Sequence, residues 1–365
     1  MTNDMTRRAI RGPFAWHGED IVDNPVWQHR MRGAELAEID DALAATRKHA
    51  IEWPQVRREH FPLDTLAETL AEAGRELEEG CGMMRLRGLL VEKYSESDLR
   101  TLWMGIGAYI GTPVFQDADG QIMRRIRNEG SDVGERYGQI ATGNRDAVFL
   151  SSRARTASAG SLRFHTDRTD VVGLLCFQQA KSGGDSKLAS SVSVHNALLE
   201  RRPDLLELLY QPIWRSRLGE EAGGEKLAYP LPVFGYHNEK FTSHYSRTYI
   251  EAAQLQPGVP KMSATQWEAL DLLAELAEEL CFEMRFESGD MQFLNNHVIF
   301  HARSAFEDDP AENCVRDLYR LWLCVPNGRA LPQDHAVLWG NVDAGMLRGG
   351  IRPAAGDAPG RRLES

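Results

Sequence analysis

Residues 171–177 read Val-Val-Gly-Leu-Leu-Cys-Phe, without one polar side chain. A strand that is apolar on both faces has to be covered on both faces, so this run predicts a central strand between two layers. Further strand signals lie downstream. Phe282, Met284 and Phe286 alternate, Gly289-Asp290 marks a turn, 291–300 reads as one strand and 316–325 as another. Helical periodicity surrounds them. Leu66, Leu70, Ala73 and Leu77 recur over 64–79, and Gly80 and Gly82 stop that helix. Ser95 and Asp98 make a capping box ahead of Leu99, Leu102, Trp103, Ile106 and Ile110. Another helix spans 193–209 with a break at Pro203, and Ser263 with Gln266 opens one that runs to Leu280. The pattern predicts an α+β fold, with helices packed outside a β-barrel or sandwich. Residues 1–35 read as an irregular arm, the glycine-punctuated 118–160 as a lid loop, and 333–365 as a tail.

Charge excludes some partners. Lys+Arg is 42 and Asp+Glu is 53, a net charge of −11. Nucleic acid and anionic membrane both require a broad basic face, so neither is expected as a partner; a small molecule is. No stretch approaches the ~20 apolar residues of a membrane helix, and residues 1–20 carry no apolar core of a secretory signal. Five scattered cysteines without a CxxC pair suggest neither a disulfide framework nor a zinc ribbon, and a cytoplasmic setting is expected.

The chemistry-bearing residues begin at Arg163-Phe164-His165-Thr166-Asp167. In an extended chain His165 and Asp167 point to one side, as a chelating pair would. An imidazole and a carboxylate suit Fe(II) in a facial triad, which needs one more histidine. The segment 294–303 offers two, His297 and His301, both on one face of the predicted strand, so periodicity does not choose between them. His301, at the strand end, is placed at a cavity mouth; His297 is the structural alternative. Farther on, Arg316 and Arg320 share a face of a mostly apolar strand. Buried guanidinium groups need anionic partners, and four residues span about 13 Å, enough to grip both ends of a dicarboxylate.

The order His165-x-Asp167, His301 within His-Ala-Arg, then Arg316-x-x-x-Arg320 resembles the taurine dioxygenase-like (TauD/TfdA) family of Fe(II)- and 2-oxoglutarate-dependent oxygenases. Gly183-Gly184-Asp185-Ser186 resembles that family's Gly-Gly-Asp-Thr segment, and the likeness extends to Val194-His195-Asn196 and Arg202-Pro203-Asp204-Leu205. It covers about 82–332. The resemblance implies that His165, Asp167 and His301 bind iron, that Arg320 pairs with the distal carboxylate of 2-oxoglutarate, that Arg316 helps hold the chelating carboxylate, and that Ser186 hydrogen-bonds the cosubstrate. It implies a single decorated double-stranded β-helix (jelly roll, cupin-like), often assembled as a dimer or tetramer. Asp167 argues against a halogenase, which has a small residue there. The related clavaminate synthase-like branch often carries Glu at that place.

Implied activity is oxidation, by default hydroxylation, of a small molecule with O2, releasing succinate and CO2. Two other readings stand beside it: a zinc hydrolase using the same ligands, which leaves Arg316 and Arg320 unexplained, and a catalytically silent 2-oxoglutarate-binding protein. Substrate contacts are sought in 241–249, where Tyr245, Arg247 and Tyr249 share a face if extended, and among Arg153, Arg155, Arg163 and Arg168. His17, His237 and His335 read as surface or loop residues, and Cys176 and Cys324 as strand core.

Overall fold

The computed structural model describes residues 8–130, 139–140, 148–149, 152–217, 220–221 and 224–353. Two sheets form its centre. The larger runs Gln28–Arg30, Met83–Arg87, Met291–Asn295, Val171–Gln178, Asp317–Cys324 and Thr112–Pro113, with Met123–Arg127 also paired to Asp317–Cys324. The smaller runs Phe282–Met284, Ser186–Ser190, Ile299–Arg303 and Leu162–His165. Pairing is antiparallel in both, apart from the edge pair Gln28–Arg30 with Met83–Arg87. No pairing among the described residues joins the two sheets, so the core is a jelly-roll-type sandwich and not a closed barrel.

The apolar run at 171–177 lies in the middle of the larger sheet. Val172 and Cys176 enter the core shared with Phe164, Leu188 and Phe300 of the smaller sheet. Val171 and Leu175 enter a second core with Leu66, Leu70, Leu102 and Trp103 of the helices Thr65–Glu79 and Glu96–Ile110. Both faces are covered, as the composition requires. Gly173 lets the helix layer approach, because a Cβ there would stand 2.9 Å from Trp103 and 3.1 Å from Phe293. The strand Asp317–Cys324 alternates in the same way. Tyr319, Leu321 and Leu323 face the helices, while Leu318, Trp322 and Cys324 join the inter-sheet core.

Helix ends follow the capping signals. Ser95 with Asp98 and Ser263 with Gln266 form capping boxes, and 193–209 divides at Pro203 into Ser191–Arg201 and Pro203–Leu209. Several expectations need correction. The segment 291–300 is two strands in different sheets, joined by a turn at Asn296-His297-Val298. Asn295 makes the turn: its Oδ1 accepts the His297 N–H (2.9 Å) while its Nδ2 donates to Leu77 O (2.8 Å). The arm is not wholly irregular, since Gln28–Arg30 is an edge strand and the helix Gly33–Lys48 starts before residue 35. Of the 118–160 stretch, residues 131–138, 141–147 and 150–151 lie outside the described residues, and Met123–Arg127 is sheet. Residues 333–353 are packed in, with Leu338, Trp339, Arg348 and Ile351 buried; 354–365 lie outside the described residues. Among the described residues, no helix is long and apolar enough to cross a membrane.

Candidate metal centre

Adjacent strands of the smaller sheet set His165 directly opposite His301, with ring centroids 4.2 Å apart. Asp167 follows at the strand end and turns its carboxylate to both. Oδ1 stands 4.0 Å from His165 Nε2, and Oδ2 stands 3.8 Å from His301 Nε2. The candidate donor atoms of the three lie within 4.8 Å of one another, and theirs is the one such cluster among the described residues. All three side chains are buried. His165 Nδ1 lies 2.9 Å from Arg163 O. A carbonyl only accepts, so Nδ1 carries the proton and the Nε2 lone pair faces the cluster.

Asp167 Oδ2 has no hydrogen-bond partner among the described residues. A buried carboxylate oxygen left that way is costly, and a divalent cation between the three side chains would satisfy it. The charges agree. Burial opposes ionisation of Asp167, yet Arg320 and the two imidazoles hold its carboxyl below the usual range. Burial, with the neighbouring His165, pushes His301 down to about 3. His165 is likewise lowered by burial. Two neutral imidazoles and one carboxylate are the protonation states that metal ligation requires.

The ligand aspartate is held by its backbone. Its N–H donates to Asn296 Oδ1 (2.9 Å), and Asn296 Nδ2 donates to Thr169 O (3.0 Å). The residue between the ligands is clamped too: Thr166 N–H donates to Tyr245 O (2.8 Å), and its hydroxyl meets His244 Nδ1 (2.9 Å). Sequence reasoning missed Asn296; its signal was a polar Asn-Asn pair inside an apparent strand. His297 is indeed a different kind of histidine. Its Nε2 lies 2.9 Å from Asp170 Oδ1 and its Nδ1 2.7 Å from the Thr242 hydroxyl.

The two arginines separate along their chain. Arg320 is at the metal end, with Nη1 3.5 Å from Asp167 Oδ1, Nε donating to Gln116 Oε1 (2.8 Å) and its guanidinium over Trp322. Arg316 precedes the strand and lies against Gly184, where a Cβ would stand 2.9 Å from its Cδ. Its guanidinium covers Phe306, and Nη1 is buried with no hydrogen-bond partner among the described residues. Burial brings Arg316 down to about 10. Ser186 is buried on the strand just after Gly184, 3.5 Å from Gln292 Oε1.

Of the substrate candidates, Tyr245, Arg247, Arg163 and Arg168 are engaged within the protein. Tyr245 packs on Phe300 in the core. The segment 241–249 is not extended throughout: Lys240–Ser243 is a strand and Arg247–Gln254 a helix, so Tyr245, Arg247 and Tyr249 share no strand face. Arg247 pairs with Glu251 and Asp271 and covers Trp267. Arg163 pairs with Glu251. Arg168 pairs with Glu225 and donates to Leu338 O. The side chain of Arg153 lies outside the described residues. Sequence reasoning also passed over Glu220, which accepts from the Tyr249 hydroxyl and feels the charges of Arg168, Asp167 and Arg320. Burial raises its pKa. His335 is buried, contrary to expectation, while His17 and His237 are exposed.

A buried two-histidine, one-carboxylate set on a two-sheet core defines a non-haem iron oxygenase. The chain belongs to the taurine catabolism dioxygenase TauD, TfdA family, whose model matches residues 46–322. It is 29% identical over 334 residues to FR-33289 synthase of Streptomyces rubellomurinus, covering 90% of this chain and 94% of that protein. It is 32% identical over 321 residues to taurine hydroxylase-like protein SAT17 of Stachybotrys chartarum, covering 86% and 79%. Asparagine oxygenase in complex with Fe(II), 2S,3S-3-hydroxyasparagine and succinate shares the fold, at TM-score 0.61 and 15% identity over 82% of this chain and 93% of that one. So does the non-haem iron oxygenase OrfP in complex with Fe and alpha-ketoglutaric acid, at TM-score 0.56 and 14% identity over 81% and 94%. This protein is thus an Fe(II)- and 2-oxoglutarate-dependent dioxygenase.

Proposed function

We propose that this dioxygenase hydroxylates an unactivated C–H bond of a small organic molecule. Substrate, 2-oxoglutarate and O2 would give the alcohol, succinate and CO2. The observation that carries the reading is the buried His165–Asp167–His301 set, with a carboxylate oxygen that has no hydrogen-bond partner among the described residues. Bound there, Fe(II) supplies O2 activation coupled to decarboxylation of the keto acid. The chain's own residues bind, orient and exclude water. The hydroxylase and hydroxy-amino-acid names of the relatives support small polar substrates. Five free cysteines support a reducing, cytoplasmic setting.

For the cosubstrate, the geometry favours the reverse of the division implied by the resemblance. Arg320 lies beside Asp167, so we assign it to the metal-chelating carboxylate end. Arg316 lies beside Gly184 and its Nη1 has no hydrogen-bond partner among the described residues, so we assign it, with Ser186, to the distal carboxylate. A guanidinium fork and a hydroxyl together give charge-assisted hydrogen bonds to one carboxylate. Glu220 and Tyr249 are assigned to the substrate side of the centre.

The test is to strip metal with a chelator, restore Fe(II), and follow substrate-dependent succinate release across a panel of small acids and amino-acid derivatives. Recovery with Fe(II) alone supports the reading. Zn(II)-dependent hydrolysis without O2 uptake, or full turnover in the Asp167→Ala, His301→Ala double variant, overturns it.

A further inference from the structure

Beyond the end of the family match, the chain returns behind the metal loop. The Gly350 N–H donates to Arg168 O (2.7 Å). Arg168 Nε donates back to Leu338 O (3.1 Å). Arg348 Nε donates to Asp170 Oδ1 (2.8 Å). These contacts hold residues 168 and 170, the first and third after the ligand Asp167. Asp170 is then fixed from two more directions, by His297 Nε2 at Oδ1 (2.9 Å) and by the Val325 N–H at Oδ2 (3.2 Å). His297 is stacked on Trp339 of the same C-terminal segment, with ring centroids 4.9 Å apart.

Arg348 is buried, and its Nη1 and Nη2 have no hydrogen-bond partner among the described residues. A guanidinium desolvated for one carboxylate is a poor way to add stability. It is a good way to fix that carboxylate in one place. The neighbouring glycines allow the close approach: Gly349 and Gly350 take φ +72° and +64°, and a Cβ on Gly349 would stand 2.8 Å from Arg168 O.

We propose that Arg348 is a positioning residue of the metal centre. Through Asp170, and together with Trp339 and Gly350, it straps the C-terminal segment to the loop that carries Asp167 and so sets the affinity of the metal site. The proposal rests on the reading of the triad as a metal site. Groups hydrogen-bonded to a metal ligand typically change metal affinity by about 10–100-fold; Arg348 acts one step further out, through Asp170, so the low end of that range is expected.

The test uses the full chain, freed of metal, titrated with Co(II) and read by visible absorption, with Fe(II) plus 2-oxoglutarate under nitrogen as a second spectrum. Arg348→Met is expected to weaken Co(II) binding about tenfold or more and to alter both spectra, and Arg348→Lys to restore part of the affinity. The control is Arg85→Met, which breaks another buried ion pair, with Asp290, on the strand Met83–Arg87. It should lower the melting temperature and leave Co(II) affinity unchanged. Should Arg348→Met not fold, Trp339→Leu takes its place. Affinity within twofold of wild type in the folded Arg348 or Trp339 variant, or equal weakening by Arg85→Met, overturns the proposal. A wild-type chain that takes up no Co(II) overturns the metal-site reading itself, and the proposal with it.

Discussion

Asp167 and Asp170 lie three residues apart on one loop, and both are buried. Asp170 is saturated, accepting from His297, Arg348 and the Val325 N–H. Asp167 has one oxygen with no hydrogen-bond partner among the described residues and the other only 3.5 Å from Arg320. His297 and His301 divide the same way. Both nitrogens of His297 are bonded, whereas His301 Nδ1 has no partner among the described residues and Nε2 faces Asp167. Burial and residue type are therefore shared by both kinds of group. What distinguishes a metal ligand is valence that the protein leaves unused.

The sharpest way to break this comparison is to delete one member of each pair. Asp167→Ala is expected to abolish succinate release at a smaller cost in urea unfolding, since Oδ2 has no partner among the described residues and Oδ1 meets Arg320 only at 3.5 Å. Asp170→Ala should do the opposite in kind. It strands the Arg348 guanidinium and costs about 3–5 kcal/mol of stability. Equal destabilisation by the two substitutions would remove the distinction.

Acid separates the histidines less drastically. Burial, opposed by Asp170, pushes His297 down to about 4. An unfolded imidazole protonates near 6.5, so between about pH 6.5 and 4 the unfolded chain holds the extra proton and stability falls as pH falls. This single group accounts for roughly 3 kcal/mol over that window and nothing above it. His297→Gln keeps polar atoms toward Asp170 and Thr242 but cannot protonate. Urea titrations at stepped pH should therefore show a shallower acid slope in the variant. An unchanged slope would mean that His297 is already open to solvent protons.

The sequence made the pair His297 and His301 visible without sorting it, and gave no sign of Asp170. The strand at 171–177, the capped helices and the break at Pro203 were legible because each rests on local chemistry: composition, capping side chains, a missing N–H. The split of 291–300 was not, because Asn295 ends the strand by bonding to Leu77 O, far away in sequence. That split is what sends His297 and His301 to different surroundings. The ion pairs of the substrate candidates were hidden for a related reason. Arg163, Arg168 and Arg247 look available in sequence, and their carboxylate partners Glu251, Glu225 and Asp271 come from other segments. Glu220 had no signal at all, since it acquires its place only through Tyr249 and the fold.

Arg316 and Arg320 are a third pair four residues apart, and they bear on the comparison most finely because the substitutions change binding and not assembly. If Arg316 grips the distal carboxylate, Arg316→Met should raise KM for 2-oxoglutarate by roughly 100-fold, the loss of two charged hydrogen bonds, with metal affinity unchanged. Arg320→Met removes a cation beside Asp167, so it should alter the Co(II) spectrum as well as KM. Ser186→Ala deletes one hydroxyl at the Arg316 end and should raise KM by about tenfold or less, with kcat preserved. The order of the effects matters more than their size. If Ser186→Ala couples to Arg320→Met in a double-mutant cycle but adds independently to Arg316→Met, then the hydroxyl works at the metal end, and the two arginines exchange the roles given to them here.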